Sequence, residues 1–175
     1  MIQQIQADRR QNFWATILWA GLLVGTLDIS GAIINYTLEG RKNPEIIFQY
    51  IASAAFGKTK AYSGGTGMMV MGGVFHYLIA YSFTIFFFLV YPSIKLLWRN
   101  RILTGILYGA FIWCVMNLII VPITLSHKLP VFNTRALIQM MILIVAIGIP
   151  LSFIAHWYYG KSSVNRESSI VNRES

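Results

Sequence analysis

Cysteine is almost missing from this chain. Cys114 stands alone in 175 residues, inside an apolar run, which excludes an internal disulfide and any CxxC metal or redox motif and leaves a small packing residue as its ordinary reading. Acidic residues are scarce as well, with six Asp and Glu against fourteen Lys and Arg, and charged residues make up only 11% of the sequence while hydrophobic residues make up 56%. Such a mix excludes an ordinary soluble globule. The sequence lacks an HExxH pair, a nucleophile elbow and a run of paired histidines, so no metal or cofactor is implied. Ser63-Gly64-Gly65-Thr66-Gly67 has glycines but neither the lysine nor the preceding strand of a phosphate-binding loop, and reads as a flexible or tightly turned helix entry.

What is present is length in apolar runs. A bilayer core of about 30 Å needs about 20 residues at a rise of about 1.5 Å each. Four stretches qualify: Phe13 to Leu38, Gly65 to Tyr91, Ile102 to Thr124 and Arg135 to Tyr159. Cations or interfacial aromatics bound each of them, as in Trp14, Tyr91 with Trp98, and Trp157-Tyr158-Tyr159. The expected fold is therefore all-α, a polytopic integral membrane protein with one transmembrane domain over residues 1–160. Beyond Gly160 the pentapeptide Val-Asn-Arg-Glu-Ser occurs twice, and residues 161–175 read as a disordered polar tail. Arg9-Arg10 before an apolar run resembles the start of a signal peptide or a twin-arginine signal. The run continues to about Leu38, however, so an uncleaved anchor is expected.

The formal net charge of +8 would suggest nucleic acid in a soluble protein. Here the cations sit in short stretches between apolar runs, as topology signals and contacts for anionic lipid do, so the bilayer is the expected partner and nucleic acid is not. With the N-terminus inside, eight Lys and Arg fall on the cytoplasmic side and six outside. The expected location is a bacterial inner membrane with both termini cytoplasmic.

The first loop carries a further helix signal. Asn43 can cap, Pro44 suits the first position, Glu45 complements the dipole, and Gly57 with Lys58 and Lys60 suits an end. A helix over 44–57 with Ile47, Phe48, Ile51 and Ala55 as its apolar stripe is too short to span, so it would lie in the interface or re-enter the bilayer.

Ionisable side chains inside membrane helices are costly and face protein or a water-filled cavity. At about 100° per residue, Asp28 shares a face with Gly21, Gly25, Ala32 and Asn35. His76 shares one with Gly65, Gly72 and Ala80. Gly21 with Gly25, and Gly105 with Gly109, form GxxxG pairs that permit close helix approach. Asn117 precedes Pro122, which leaves the Leu118 carbonyl without its helical donor, and Pro150 does the same for Ala146. Asp28, His76 and Asn117 fall at similar depths, so an Asp28 to His76 contact with Asn117 nearby is expected if these faces meet. Such a pair could be polar glue between helices, part of a proton or solute path, or an acid–base pair. His156, near the end of the last span, suits interfacial anchoring, and His127 beside Lys128 suits solvent.

Ile51-Ala52-Ser53, Gly57, Ala61, Gly64-Gly65 and Gly72 leading to His76, together with Asp28, Ala32, Gly109, Trp113 and Pro122, resemble a family of short bacterial four-helix inner-membrane proteins of unassigned function. Ala54 stands where that pattern has glycine, and the repeated tail lies outside it. The resemblance implies the four-helix fold and draws attention to the segment from Ile51 to His76, without supplying an activity.

Three functions remain open. The first expectation is a subunit or assembly component of a membrane complex, binding a membrane-protein partner or a second copy through its GxxxG faces. The second is a transporter or channel component, with Asp28, His76 and Asn117 along a polar path that the Asp28 and His76 pair could couple to protons. The third is a membrane enzyme with His76 as acid or base.

Overall fold

The computed structural model describes residues 2–94, 96–126 and 132–160, and no strand occurs among them. The helices are α1 (Ile2–Leu38), α2 (Ile46–Phe56), α3 (Lys58–Ser63), α4 (Gly65–Val90), α5 (Leu96–Arg99), α6 (Arg101–Cys114) and α7 (Thr134–Leu143). Four continuous helical segments are long and apolar enough to cross a membrane: Asn12–Leu38, Gly65–Ser93, Arg101–Leu125 and Thr134–Gly160. They match the four apolar stretches to within two residues. The His127 and Lys128 pair and the 161–175 tail lie outside the described residues.

Local chemistry accounts for most of the ends. The second span closes in a tight turn at Tyr91–Ser93, where Pro92 cannot continue the helix. Asn100 caps α6, its side chain accepting from the Ile102 and Leu103 amides at 3.0 and 3.1 Å. Asn133 caps α7 by accepting from the Ala136 amide at 3.1 Å. Helix α1 begins ten residues before its apolar run, because Gln, Ala and Arg extend a helix cheaply once the span has nucleated it.

The first loop differs from its sequence reading in three ways. Helix α2 starts at Ile46 rather than Pro44, its cap residue is Glu45 without a side-chain bond, and Asn43 and Pro44 instead accept turn bonds from the Ile46 and Ile47 amides. Gly57, at φ +79°, ends α2, but the chain turns straight into α3. The buried face of α2 is Gln49, Ala52 and Ser53, whereas Ala55 is exposed. Helix α2 lies against α4 at Gly72, where a Cβ would strike the Phe48 carbonyl, so Phe48 of the expected stripe sits at the crossing, Ile47 and Ile51 stay half-buried, and Ala55 turns out to the surface.

For helices in lipid, whose tails are as apolar as leucine, close contact and interhelical hydrogen bonds hold a bundle together, and these helices have both. Gly105 and Gly109 bring the third span onto the backbone of the fourth: a Cβ at Gly105 would lie 2.7 Å from Ile149 Cα, and one at Gly109 would lie 2.5 Å from Ile144 Cα. Gly21 and Gly25 face side chains instead, receiving the rings of Tyr81 and Tyr77. The hydroxyls of those rings bond the first span as well, Tyr81 donating to the Leu18 carbonyl at 2.9 Å and Tyr77 pairing with Thr26 at 2.9 Å. Tyr108 donates to the Phe83 carbonyl at 2.6 Å and joins the third span to the second.

The third and fourth spans, which carry Pro122 and Pro150, relax into π-helix at Val115–Ile120 with Pro122–Ser126 and at Ile144–Gly148. The Val121 amide reaches back five residues to the Met116 carbonyl. The Ile149 amide likewise reaches back five residues to Ile144 O, so the turn before each proline is wider than α-helical counting assumes.

Candidate functional site

The two halves of the bundle are built differently. One half is solid: Ile17, Val24, Phe87, Phe88, Tyr108 and Leu151 belong to a close-packed core, with Tyr91 fully buried and stacked on Tyr159 at 5.7 Å. His156 lies at this end, its Nδ1 3.2 Å from the Tyr91 hydroxyl and its ring edge-on to Trp98. The other half opens into a cavity of about 560 Å³ bordered by all four spans and by α2. Ile112 and Ile147 belong both to the core and to the cavity lining, and so form its floor. The cavity reaches the surface where Glu39, Arg41 and Arg135 line it.

Asp28, His76 and Asn117 all border this cavity. Gly25, Asp28 and Ala32 share one face of α1, and the α4 face of Gly72, His76, Ala80 and Thr84 is buried against neighbours. The His76 Nε2 is 2.8 Å from the Gly25 carbonyl, to which it donates. That carbonyl lies one helical turn before Asp28, close enough for the imidazole and the Asp28 carboxylate to interact electrostatically. No hydrogen bond joins the two side chains. The Asp28 carboxylate has no hydrogen-bond partner among the described residues. Asn117 uses its amide to donate to the Trp113 carbonyl, four residues back, at 3.1 Å. Its side-chain oxygen accepts no hydrogen bond among the described residues.

Around Asp28 the cavity offers acceptors: the imidazole N–H is committed to Gly25, and neither the carboxylate nor the Asn117 side-chain oxygen has a donor among the described residues, while Asn35, Gln139, Tyr36, Tyr50 and Tyr62 carry donors elsewhere on the wall. Among the described residues no three of His, Cys, Asp and Glu converge, so Asp28 and His76 do not by themselves form a ligand set for a metal. At the mouth, Glu39 bridges Arg41 at 3.0 Å and Arg135 at 3.8 Å, tying the end of the first span to the start of the fourth. Arg41 also lies over the Tyr36 ring at 5.1 Å.

Sequence reasoning about the spans did not single out this mouth, nor the wall residues Tyr36, Tyr50, Tyr62 and Gln139. Gln139 carried a signal of its own, a polar residue in an apolar run. The three mouth residues carried none, since charges at span ends serve as ordinary anchors. No family model, curated protein or solved structure matches this chain.

Proposed function

We propose that this protein is a small multi-pass membrane protein that takes up a small solute in a cavity reached from one side of the bilayer, acting as a carrier or as the binding component of a transport system. The supporting observation is the one-sided cavity: about 560 Å³ of space that holds Asp28, His76 and Asn117 and ends on a close-packed aromatic half. That volume lies within the range of about 300–1,000 Å³ common to small-ligand sites. The small-residue faces favour this reading over a complex subunit, because Gly25, Gly72, Gly105 and Gly109 are already occupied within the chain. The distribution of Lys and Arg supports a bacterial inner-membrane location with both termini cytoplasmic, which turns the mouth at Glu39 outward. Helix α2 then dips into the outer leaflet as a re-entrant element. Phe48 crosses Gly72 seven residues inside the second span, about 10 Å along it.

Ala32, on the cavity wall, gives the test. In a Cys114→Ser background, Ala32→Cys is expected to react with a membrane-impermeant thiol reagent from the outside of sealed cells and to resist it in inverted vesicles. Resistance from both sides would contradict the reading. A stoichiometric protein partner retained through mild-detergent purification, together with such resistance, would return the subunit reading.

A further inference from the structure

The donor and acceptor inventory of the cavity narrows the kind of solute. Resting on the function proposed above, we propose that the site takes a protonated amine carried on a compact apolar body, with the ammonium at Asp28. Three observations converge on this class. The Asp28 carboxylate borders the cavity without a hydrogen-bond donor among the described residues, and a charged acceptor away from bulk water gains most from a cationic N–H. The donor that could have served it, the imidazole N–H, is held on the Gly25 carbonyl at 2.8 Å. Asn117 adds its side-chain oxygen on the same cavity, its amide turned to the Trp113 carbonyl and no donor reaching the oxygen among the described residues. An ammonium presents three donors to such a set, whereas a carboxylate or phosphate presents none.

The walls suit the rest of the molecule. Ile29, Ile79, Phe83, Ile120 and Leu143 are apolar, and Tyr36, Tyr50 and Tyr62 add aromatic faces toward the mouth that a cation can pass over. The guanidiniums at the mouth do not reverse the preference. Glu39, which pairs with both, partly offsets them and sits eleven residues after Asp28, about 16 Å along the helix axis, so at that distance their repulsion is a fraction of the contact attraction at the carboxylate. A divalent metal ion fits less well, since it would require several more oxygen ligands than Asp28 supplies.

The test is equilibrium dialysis of the intact protein in lipid nanodiscs, with empty nanodiscs as the blank and three probes of one shape: phenethylammonium, phenethyl alcohol and hydrocinnamate. The cation is expected to bind about tenfold or more tighter than the alcohol, and the anion weakest. Asp28→Asn should abolish the advantage of the cation while leaving the alcohol unchanged, and the unchanged alcohol reports that the cavity is still formed. Asn117→Asp, which adds a second carboxylate, should strengthen the cation further. Equal binding of all three probes, or strongest binding of hydrocinnamate, overturns the amine assignment and leaves the cavity reading standing. Absence of cation binding while Ala32→Cys still reacts from outside has the same meaning. Absence of binding together with an unreactive Ala32→Cys overturns both.

Discussion

Two adjacent glycines in α4 should respond in opposite ways to one methyl group. Gly72→Ala places a Cβ against the Phe48 carbonyl, with Phe48 Cα at 2.9 Å. These are main-chain atoms of α2, so no rotamer change can clear them and α2 must lift away from the wall. Gly73→Ala instead brings its Cβ to 3.8 Å from the Phe48 ring, an ordinary contact. Overpacking costs about 1–3 kcal/mol, and alanine recovers up to about 1 kcal/mol of helix propensity at either position. The net expectation is a loss of about 1–2 kcal/mol at Gly72, and a neutral or slightly favourable effect at Gly73. At about 1.4 kcal/mol per tenfold, the population with α2 detached rises roughly five- to thirtyfold in Gly72→Ala. Deuterium uptake by peptides covering Ile46–Phe56, measured by mass spectrometry in nanodiscs, should accelerate by that factor in Gly72→Ala and stay at the wild-type rate in Gly73→Ala. Equal uptake in the two variants would refute the crossing, and with it the wall that α2 contributes to the cavity.

Tyr108→Phe removes the bond to the Phe83 carbonyl but keeps the ring contact with Phe87 at 4.4 Å, so an unfolding midpoint in mixed micelles should fall by the equivalent of about 0.5–1.5 kcal/mol. An unchanged midpoint would show that the tie is dispensable. Glu39→Gln breaks an exposed ion pair and should cost less than about 1 kcal/mol, a difference that shrinks as salt is added. A salt-independent loss would mean that Glu39 acts by something other than charge. Cys114, exposed on the outer surface of the third span, should resist a water-soluble maleimide in intact membranes and react once SDS has dispersed them. Rapid reaction in intact membranes would put that surface in water and end the four-span reading.

The spans were legible in the sequence because a membrane helix must satisfy its own backbone and present apolar side chains for a fixed length, and both demands are local. Asp28, His76 and Asn117 stood out for the same reason, as polar groups where lipid tolerates few. Local rules went wrong where packing overruled them. The expected α2 stripe gave way to a buried face of Gln49, Ala52 and Ser53, with Ala55 exposed, because the side of α2 that packs is set by its crossing of α4 at Gly72 rather than by its own apolar pattern. Counting by α-helical turns missed that the turns before Pro122 and Pro150 widen into π-helix, where the Val121 and Ile149 amides reach back five residues. Gly21 and Gly25 looked like a contact for another helix backbone, but receive tyrosine rings from α4. The sequence by itself therefore determined which segments can cross a membrane and which polar residues lie within them, since length, hydropathy and helical period are properties of a segment alone. Only the tertiary structure decided that His76 is spent on the Gly25 carbonyl while the Asp28 carboxylate borders a cavity with no donor bonded to it among the described residues. It also decided that Glu39, Arg41 and Arg135 meet at one mouth, because those relations depend on how segments far apart in the chain come together.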